Sequence, residues 1–155
     1  HPWKPTGAPV GPALRGQLAN WPRIVERRWD ALRLAFGHYA LAPGGQRYAP
    51  VERERSTANM DRLFAALDAD AIFYGHDHIQ SDVAGKARYV NPGSLGCSVR
   101  AEARYCIVDI KDGQMTVTQC RVPYDDAPLA KAFVQRDVPE RAFIARAFFG
   151  GRFAL

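Results

Sequence analysis

Short apolar segments that alternate with polar residues dominate the chain after residue 20. Leu32, Leu34 and Phe36 alternate along one such segment, which is typical of a strand with one buried face. Two interpretations of this region remain open at this point. Val25, Trp29 and Leu32 also have helical spacing, whereas a hairpin that turns just after Trp29 would keep the alternation.

Helices and strands are predicted to follow one another along the rest of the chain. Met60, Leu63, Phe64 and Leu67 form the apolar stripe of a helix, and the run Ala71–Tyr74 predicts a buried strand directly after it. Further predicted elements are a strand ending at residue 91, a hairpin over 105–122, and helices starting near residues 126 and 139. The pattern indicates an α/β fold.

The first twenty residues differ from the rest in composition. Four prolines and two glycines fall within residues 1–12, which forbids regular structure there. A short helix over Leu14–Asn20 is compatible with the sequence. We therefore assign residues 1–20 to an extended Pro/Gly-rich arm and residues 21–155 to a single domain.

Charge and cysteine content restrict the classes of partner and compartment. The net charge is +5, but the 21 lysines and arginines are dispersed, with Arg27-Arg28 the longest pure run, which does not favour nucleic acid as principal partner. A mild positive field suits a phosphorylated substrate equally well. Three cysteines without a C-x-x-C pair predict reduced thiols and a cytoplasmic location, and no apolar stretch is long enough to span a membrane.

Three of the four histidines occupy equivalent places after apolar segments. His76 and His78 follow the run that ends at Tyr74, and His38 follows the run through Phe36. Residues i and i+2 of an extended segment point to the same side, and ligands of open α/β sheets bind beyond the carboxyl ends of strands. Imidazole is a common ligand of zinc, manganese and iron, so a metal site is predicted, with ordinary surface histidines as the alternative.

These histidines lie in motifs that resemble the calcineurin-like metallophosphoesterases. Gly75-His76-Asp77-His78 matches the G-H-x-H motif of that family, and Tyr89–Gly96 resembles the strand and tight turn that follow it in small bacterial members. Phe36–Leu41 resembles their isolated upstream histidine. Later matches are Val122–Asp125, Val138-Pro139 and Phe149–Arg152. The resemblance runs from about Trp21 to the end and favours the hairpin interpretation of the first strands.

The resemblance implies part of a four-layer αββα sandwich with mixed sheets. The family's earlier motifs, D-x-H, G-D and G-N-H-D or G-N-C-D, are absent from the sequence. We therefore expect the chain to be the C-terminal part of a phosphoesterase, lacking the N-terminal βαβ segments of about eighty residues, judged from the family's usual size. Its sheet should then show an unpaired, apolar edge, covered by that segment or by another copy.

The same resemblance assigns roles to individual residues. His38 and His76 would bind one metal and His78 the other, in a binuclear centre of manganese, iron, nickel or zinc whose bound hydroxide attacks the ester. Asp77 is expected to face solvent. Asn91 is a candidate substrate contact, although a role in capping the turn is preferred. Arg100 is the candidate phosphate contact, and no other catalytic residue is predicted in this chain.

The implied function is metal-dependent hydrolysis of phosphomonoesters or phosphodiesters by the complete protein, acting on a small molecule or a nucleotide. The chain alone is expected to be inactive, because three imidazoles without a bridging carboxylate cannot hold two cations together. The alternative is a non-catalytic protein-interaction scaffold, since the same fold resembles a retromer subunit. A third interpretation is an isolated metal-binding module. The retained histidines favour the enzyme.

Overall fold

The computed structural model describes residues 11–153, which form two β-sheets with flanking helices. The elements in chain order are α1 (Pro12–Ala19), β1 (Ile24–Trp29), β2 (Leu32–Gly37), α2 (Thr57–Leu63), β3 (Ala71–Phe73), β4 (Ser81–Ala84), β5 (Arg88–Asn91), β6 (Glu102–Lys111), β7 (Gln114–Pro123), α3 (Ala127–Gln135) and α4 (Arg141–Phe149). This is the predicted α/β class with mixed sheets. No helix among residues 11–153 is long and apolar enough to cross a bilayer.

The assignment of residues 1–20 to an extended arm is wrong for residues 12–19, which form α1. Pro12 occupies the start of this helix, where its fixed φ is favourable and its missing N–H would have no helical partner in any case. The proline therefore begins the helix. The short helix expected at Leu14–Asn20 is confirmed, but it begins two residues earlier, at Pro12, and ends at Ala19. The expectation for residues 1–10 lies outside the described residues.

The larger sheet has five strands in the order β1-β2-β3-β5-β4. β1 and β2 pair antiparallel around a turn at Asp30, whose φ is 53°, so the hairpin interpretation is confirmed. β2, β3 and β5 are parallel, with Leu34 beside Ala71 and Ala71 beside Arg88. The carboxyl ends of β2 and β3 therefore meet at one edge, where the chain continues into His38 and His76.

A helix covers one face of this sheet. Met60 and Phe64 of the predicted stripe are buried against Ile72 and neighbouring aromatic residues, as the spacing required. Asp61 fixes the helix in place, because its carboxylate accepts hydrogen bonds from the Lys86 backbone at 2.8 Å and the Tyr89 hydroxyl at 2.8 Å. These bonds lower the pKa of Asp61. Burial and this carboxylate raise the pKa of Tyr89 to about 12.

The second sheet is the long hairpin β6–β7, which packs on the other face. Each strand has ten residues, and Asp112 and Gly113 form the turn between them. Their φ values of 52° and 72° suit a tight hairpin turn. Its inward side chains cover Leu34, Ala71 and Val90 of the larger sheet. They are Cys106, Val108, Ile110, Met115 and Val117. The resulting order of layers is helix, sheet and sheet.

The free edge of the larger sheet is more polar than expected. β1 forms one edge of it among residues 11–153, and Glu26, Arg27 and Arg28 follow one another along this strand. Charged side chains on an edge strand discourage pairing with another chain, so the prediction of an apolar edge is wrong for the middle of β1. Apolar surface is exposed at the end of β1, at Trp29, and at Phe36 of the neighbouring β2.

The two C-terminal helices form a separate small core, in which Phe133 packs against Phe149 and Phe153. Arg152 joins this unit to the loop after β5. Its guanidinium donates to the Ser98 carbonyl and pairs with an aspartate at the start of α3, and it lies over the rings of Phe149 and Phe153 at 5.0 and 4.8 Å. α4 is thereby held beside the G-H-x-H loop.

Candidate metal centre

His38 and His76 form a close pair at the carboxyl end of the parallel strands. His38 Nε2 lies 2.8 Å from His76 Nδ1, and the ring planes are inclined by 78°. The backbone brings them together, because the Gly75 N–H donates to the His38 carbonyl at 2.9 Å and so extends the β2–β3 ladder. The sequence predicts that His38, His76 and His78 converge; the structure brings His38 and His76 together, whereas His78 lines a different cleft from His38.

The loop that carries the histidine motif has an unusual backbone. His76 and His78 have φ values of 78° and 61°, in the left-handed region that non-glycine residues seldom adopt. Such a conformation costs of order 1–3 kcal/mol per residue and persists only where the surroundings enforce it. The residue between them supplies that enforcement.

Asp77 is buried, and the expectation that it faces solvent is wrong. Only 8% of its side chain is exposed. Its carboxylate pairs with Arg55 and accepts from Asn91 Nδ2 at 2.7 Å and from the Ile79 N–H at 3.1 Å. Burial alone would lower the pKa of Arg55, but the ion pair with Asp77 outweighs it and the net pKa is raised. Asp77 therefore fixes the loop and leaves both histidines pointing outward.

Asn91 is completely buried and acts within the same network. Its Nδ2 also donates to the Gly75 carbonyl at 3.2 Å, and its Oδ1 accepts from the Gly93 N–H at 2.9 Å. Both ends of the amide are therefore occupied by protein groups. This is the turn-capping role preferred from the sequence, and the geometry gives no support to a direct substrate contact by Asn91.

The loop between β2 and α2 contributes two side chains that sequence reasoning did not identify. Tyr48 lies against His38 with ring centroids 5.2 Å apart, and Arg55 reaches Asp77. The only signal available was the position of the loop directly after His38, and neither side chain belongs to a recognisable motif.

The surroundings of His38 favour its neutral form. Partial burial lowers the pKa of His38, and the charges of His76 and then His78 lower it further. A neutral imidazole has a free nitrogen lone pair, which is the form that binds metals. His38 also lines an open cleft of about 780 Å³, together with Phe36, Tyr48 and Trp21.

His78 is separate from the close pair. Its ring centroid lies 6.5 Å from that of Phe148 in α4, and its side chain lines a different, smaller cleft. Among residues 11–153, histidine, cysteine and acidic side chains form no group of three able to hold one ion. The assignment of His78 to a second metal stays a prediction.

Arg100 is exposed on the loop after β5. Its backbone N–H donates to the Ser98 hydroxyl, and its charge contributes to the lowered pKa of Glu102, after the larger effect of Arg104. It does not line either of the clefts that contain His38 and His78. The structure therefore does not bring Arg100 to the histidines, and its phosphate contact stays a prediction.

The close pair has the geometry of two ligands of one ion. Metal–nitrogen bonds of about 2.1 Å place two ligand nitrogens about 3.0–3.4 Å apart for angles of about 90–109° at the metal. His38 Nε2 and His76 Nδ1 lie 2.8 Å apart, so one ring donates a hydrogen bond to the other, and a small rotation of the rings would bring both nitrogens to the separation of two ligands of one ion. The described residues thus fit part of a metal site, as two of its ligands.

Solved structures with a similar fold include proteins from Pyrococcus horikoshii OT3 and Sphaerobacter thermophilus. A hypothetical protein from Pyrococcus horikoshii OT3 aligns with 88% of this chain over 54% of its own length, with a TM-score of 0.69 and 18% identity. A metallophosphoesterase from Sphaerobacter thermophilus aligns with 85% over 61% of its length, with a TM-score of 0.56 and 19% identity. At these identities the likeness shows the fold, and this chain spans less than two thirds of either protein.

Three further comparisons concern another solved structure, curated protein sequences and a family profile. Vacuolar Protein Sorting 29 from Cryptosporidium parvum aligns with 67% of the chain over 58% of its own length at 16% identity, with a TM-score of 0.39 that supports no conclusion. No individual curated protein sequence matches the chain. The sequence profile of the calcineurin-like phosphoesterase superfamily domain, however, matches residues 15–113, which include the β2 and β3 histidines and the turn after β5. The chain therefore belongs to the calcineurin-like phosphoesterase superfamily.

Proposed function

We propose that this chain supplies one side of a binuclear metal centre that hydrolyses phosphomonoesters or phosphodiesters. The observation that carries the proposal is the pair formed by His38 Nε2 and His76 Nδ1, 2.8 Å apart at the carboxyl ends of two parallel strands. A buried structural histidine pair would have protein partners on every side. These two rings are exposed, and one open cleft reaches His38.

Each residue of the site has a defined task in this proposal. His38 and His76 hold one divalent ion, which is manganese, iron, nickel or zinc, and His78 holds the second. Two such ions supply a nucleophile at neutral pH and offset the charge that develops on the phosphate. Asp77 holds both histidines of its loop in position through its bonds to Arg55 and Asn91.

The remaining ligands belong to motifs that this sequence does not contain. A bridging carboxylate is needed because two divalent cations about 3.5–4 Å apart repel each other strongly. The proposal therefore concerns the complete protein in which this chain occurs, with a phosphate-ester small molecule or a nucleotide as substrate. A non-catalytic scaffold with the same fold is the competing proposal, and metal binding separates the two.

The test is replacement of His76 by alanine in the complete protein. Metal content is measured by equilibrium dialysis, and hydrolysis of an aryl phosphate ester is measured at limiting manganese. We expect loss of at least one bound ion and of nearly all turnover, with the fold intact, since a surface ligand contributes to metal affinity more than to the core. Normal turnover at limiting metal would contradict the assignment.

Trp29 provides a matched control for this substitution. It is an aromatic residue that is 61% exposed, and it lies at the turn end of the β1–β2 hairpin, away from the histidines. Trp29→Ala should leave metal content and turnover unchanged. A complete wild-type protein that binds no divalent metal would instead favour the scaffold.

A further inference from the structure

A second cleft of about 280 Å³ lies on the side of the loop where His78 projects. It is bounded by the loop itself, by residues 97–99 after β5 and by the last turns of α4. The residues that matter for its chemistry are His78, Ile79, Val99, Arg104, Arg146 and Phe148. They combine two cations with three apolar side chains.

The two arginines of this cleft differ in their electrostatic state. Arg104 is paired with Glu102, and both side chains are largely buried, with 16% and 14% exposed. Arg146 is exposed and has no ion-pair partner among residues 11–153. Asp77 also lines the cleft, but its carboxylate is paired with Arg55, so Arg146 is the guanidinium of the cleft without an ion-pair partner among residues 11–153. A guanidinium with free donors is well suited to bind phosphate oxygens.

The apolar side chains of the cleft are exposed although they lie close together. Phe148 is 44% exposed, Ile79 50% and Val99 68%. The Phe148 ring is tilted by 47° relative to the His78 ring, with the ring centroids 6.5 Å apart. Burying a flat ring between such groups removes apolar surface from water and permits stacking on Phe148. A cationic side chain next to an exposed aromatic ring is suited to bind a ligand in which a phosphate is attached to a planar group.

The wall formed by α4 is fixed by contacts elsewhere in the fold. Gly150 ends the helix with a φ of 64°, so close to residue 99 that a Cβ there would lie 2.7 Å from Val99 Cγ1. Arg152 ties the same segment to the Ser98 carbonyl. Arg146 and Phe148 are therefore presented to the cleft on a fixed helix.

We propose that this cleft binds the organic group of the substrate and selects phosphate esters whose organic group is a flat ring, as in an aryl ester or a nucleotide. Phe148 stacks on the ring and Arg146 pairs with the phosphate. The inference rests on the proposed function for the chemistry at His78. The volume of about 280 Å³ is just below the roughly 300–1,000 Å³ of ligand pockets, which suits one ring with its phosphate.

The test measures binding of two inert probes, phenylphosphonate and methylphosphonate, to the complete protein by calorimetry, with and without manganese. We expect wild type to bind phenylphosphonate more tightly. Phe148→Leu should reduce that preference by about five-fold, the size expected for one stacking contact. Arg146→Gln should weaken both probes by about ten-fold, as for a lost charge-assisted hydrogen bond.

Matched controls come from the two C-terminal helices, α3 and α4. Phe143 lies on α4 and is 57% exposed, and Arg136 is exposed after α3, but neither lines the cleft. Phe143→Leu and Arg136→Gln should bind both probes as wild type does. Equal effects of Phe148→Leu and Phe143→Leu, or no preference of the wild type for the phenyl probe, would overturn the proposal.

The phosphonate assay also separates this inference from the proposed function, because neither probe can be hydrolysed. If the ring preference is present and depends on Phe148 but the complete protein hydrolyses no phosphate ester, the catalytic proposal fails and the cleft stands. If the protein hydrolyses esters and Phe148→Leu changes neither probe binding nor the ratio of kcat/KM for phenyl phosphate and glycerol phosphate, the cleft proposal fails alone.

Discussion

Replacing Asp77 by asparagine should destabilise the protein strongly, although the two side chains have nearly the same shape. The remaining Oδ1 can still accept from Asn91 Nδ2 and from the Ile79 N–H. The new NH2 group, however, takes the place of the oxygen that pairs with Arg55. Two donors then face each other in a region where 18% of the Arg55 side chain and 8% of the Asp77 side chain are exposed.

The size of the effect follows from this burial. Breaking a fully buried ion pair from one side costs about 3–5 kcal/mol, and losing one hydrogen bond to a charged group costs about 1.5–3 kcal/mol. Arg55 keeps some access to water, so we expect a loss of about 2–4 kcal/mol in the free energy of unfolding. A further effect is relaxation of the left-handed backbone at His76 and His78, which would weaken metal binding.

Urea unfolding at pH 7 measures the loss, with the slope of the transition compared between proteins to confirm that only stability changes. Asp82→Asn is the matched control, because Asp82 pairs with Arg88 and their side chains are 29% and 32% exposed. This pair is more exposed than Asp77–Arg55 but bidentate, so we expect it to contribute about 1 kcal/mol, the upper end for exposed ion pairs. If Asp77→Asn costs no more than Asp82→Asn, Asp77 does not hold the loop as argued.

Three further predictions concern other parts of the chain. Gly150→Ala should lower the free energy of unfolding by about 1–2 kcal/mol because of its left-handed backbone, and by more because the new Cβ crowds Val99. The loss should exceed that of Gly113→Ala, where φ is 72° but the space is open. Equal urea midpoints of the two variants would exclude the crowding. The pKa of Asp61 is lowered from 3.8 in the folded protein, chiefly by the hydrogen bond from the Lys86 N–H. Asp61 therefore stabilises the fold fully above its unfolded pKa, and this contribution is lost as the pH falls through its folded pKa. The midpoint difference between wild type and Asp61→Asn should therefore be full at pH 7 and shrink below about pH 4, whereas a constant difference would refute the linkage. The 155-residue chain purified alone with manganese should not hydrolyse phosphate diesters at enzyme-like rates, and such rates in a direct assay would show that its own residues complete the centre.

The sequence predicted those parts of the fold that depend on local periodicity and turn chemistry. The stripe through Met60 and Phe64, the buried run into β3 and the turn at Asp112-Gly113 each became the expected element. Pro12 was misread because a proline that forbids the interior of a helix is favourable at its start. The composition of a segment does not distinguish these two positions.

The candidate site was predictable in part, for a similar reason. His38 and His76 could be placed together because each follows a strand, and parallel strands end at one edge. The burial of Asp77 could not be predicted, since it depends on Arg55, which lies 22 residues away in a loop without a motif. The position of α4 beside His78 could not be predicted either, because it depends on long-range contacts. The sequence pattern of α4 shows only that one face of the helix is apolar.

If His76 and His78 bind metal as proposed, their left-handed backbone means that selection for stability and selection for activity act in opposite directions on this loop. Glycine would relieve the strain at either position, so a library screened only for resistance to heat should enrich glycine there and discard the imidazoles. Histidine at both positions is what the proposed metal centre requires, whereas the backbone conformation alone would favour glycine. Engineers who wish to stabilise the protein should leave these two codons unchanged and begin with surface positions distant from the loop.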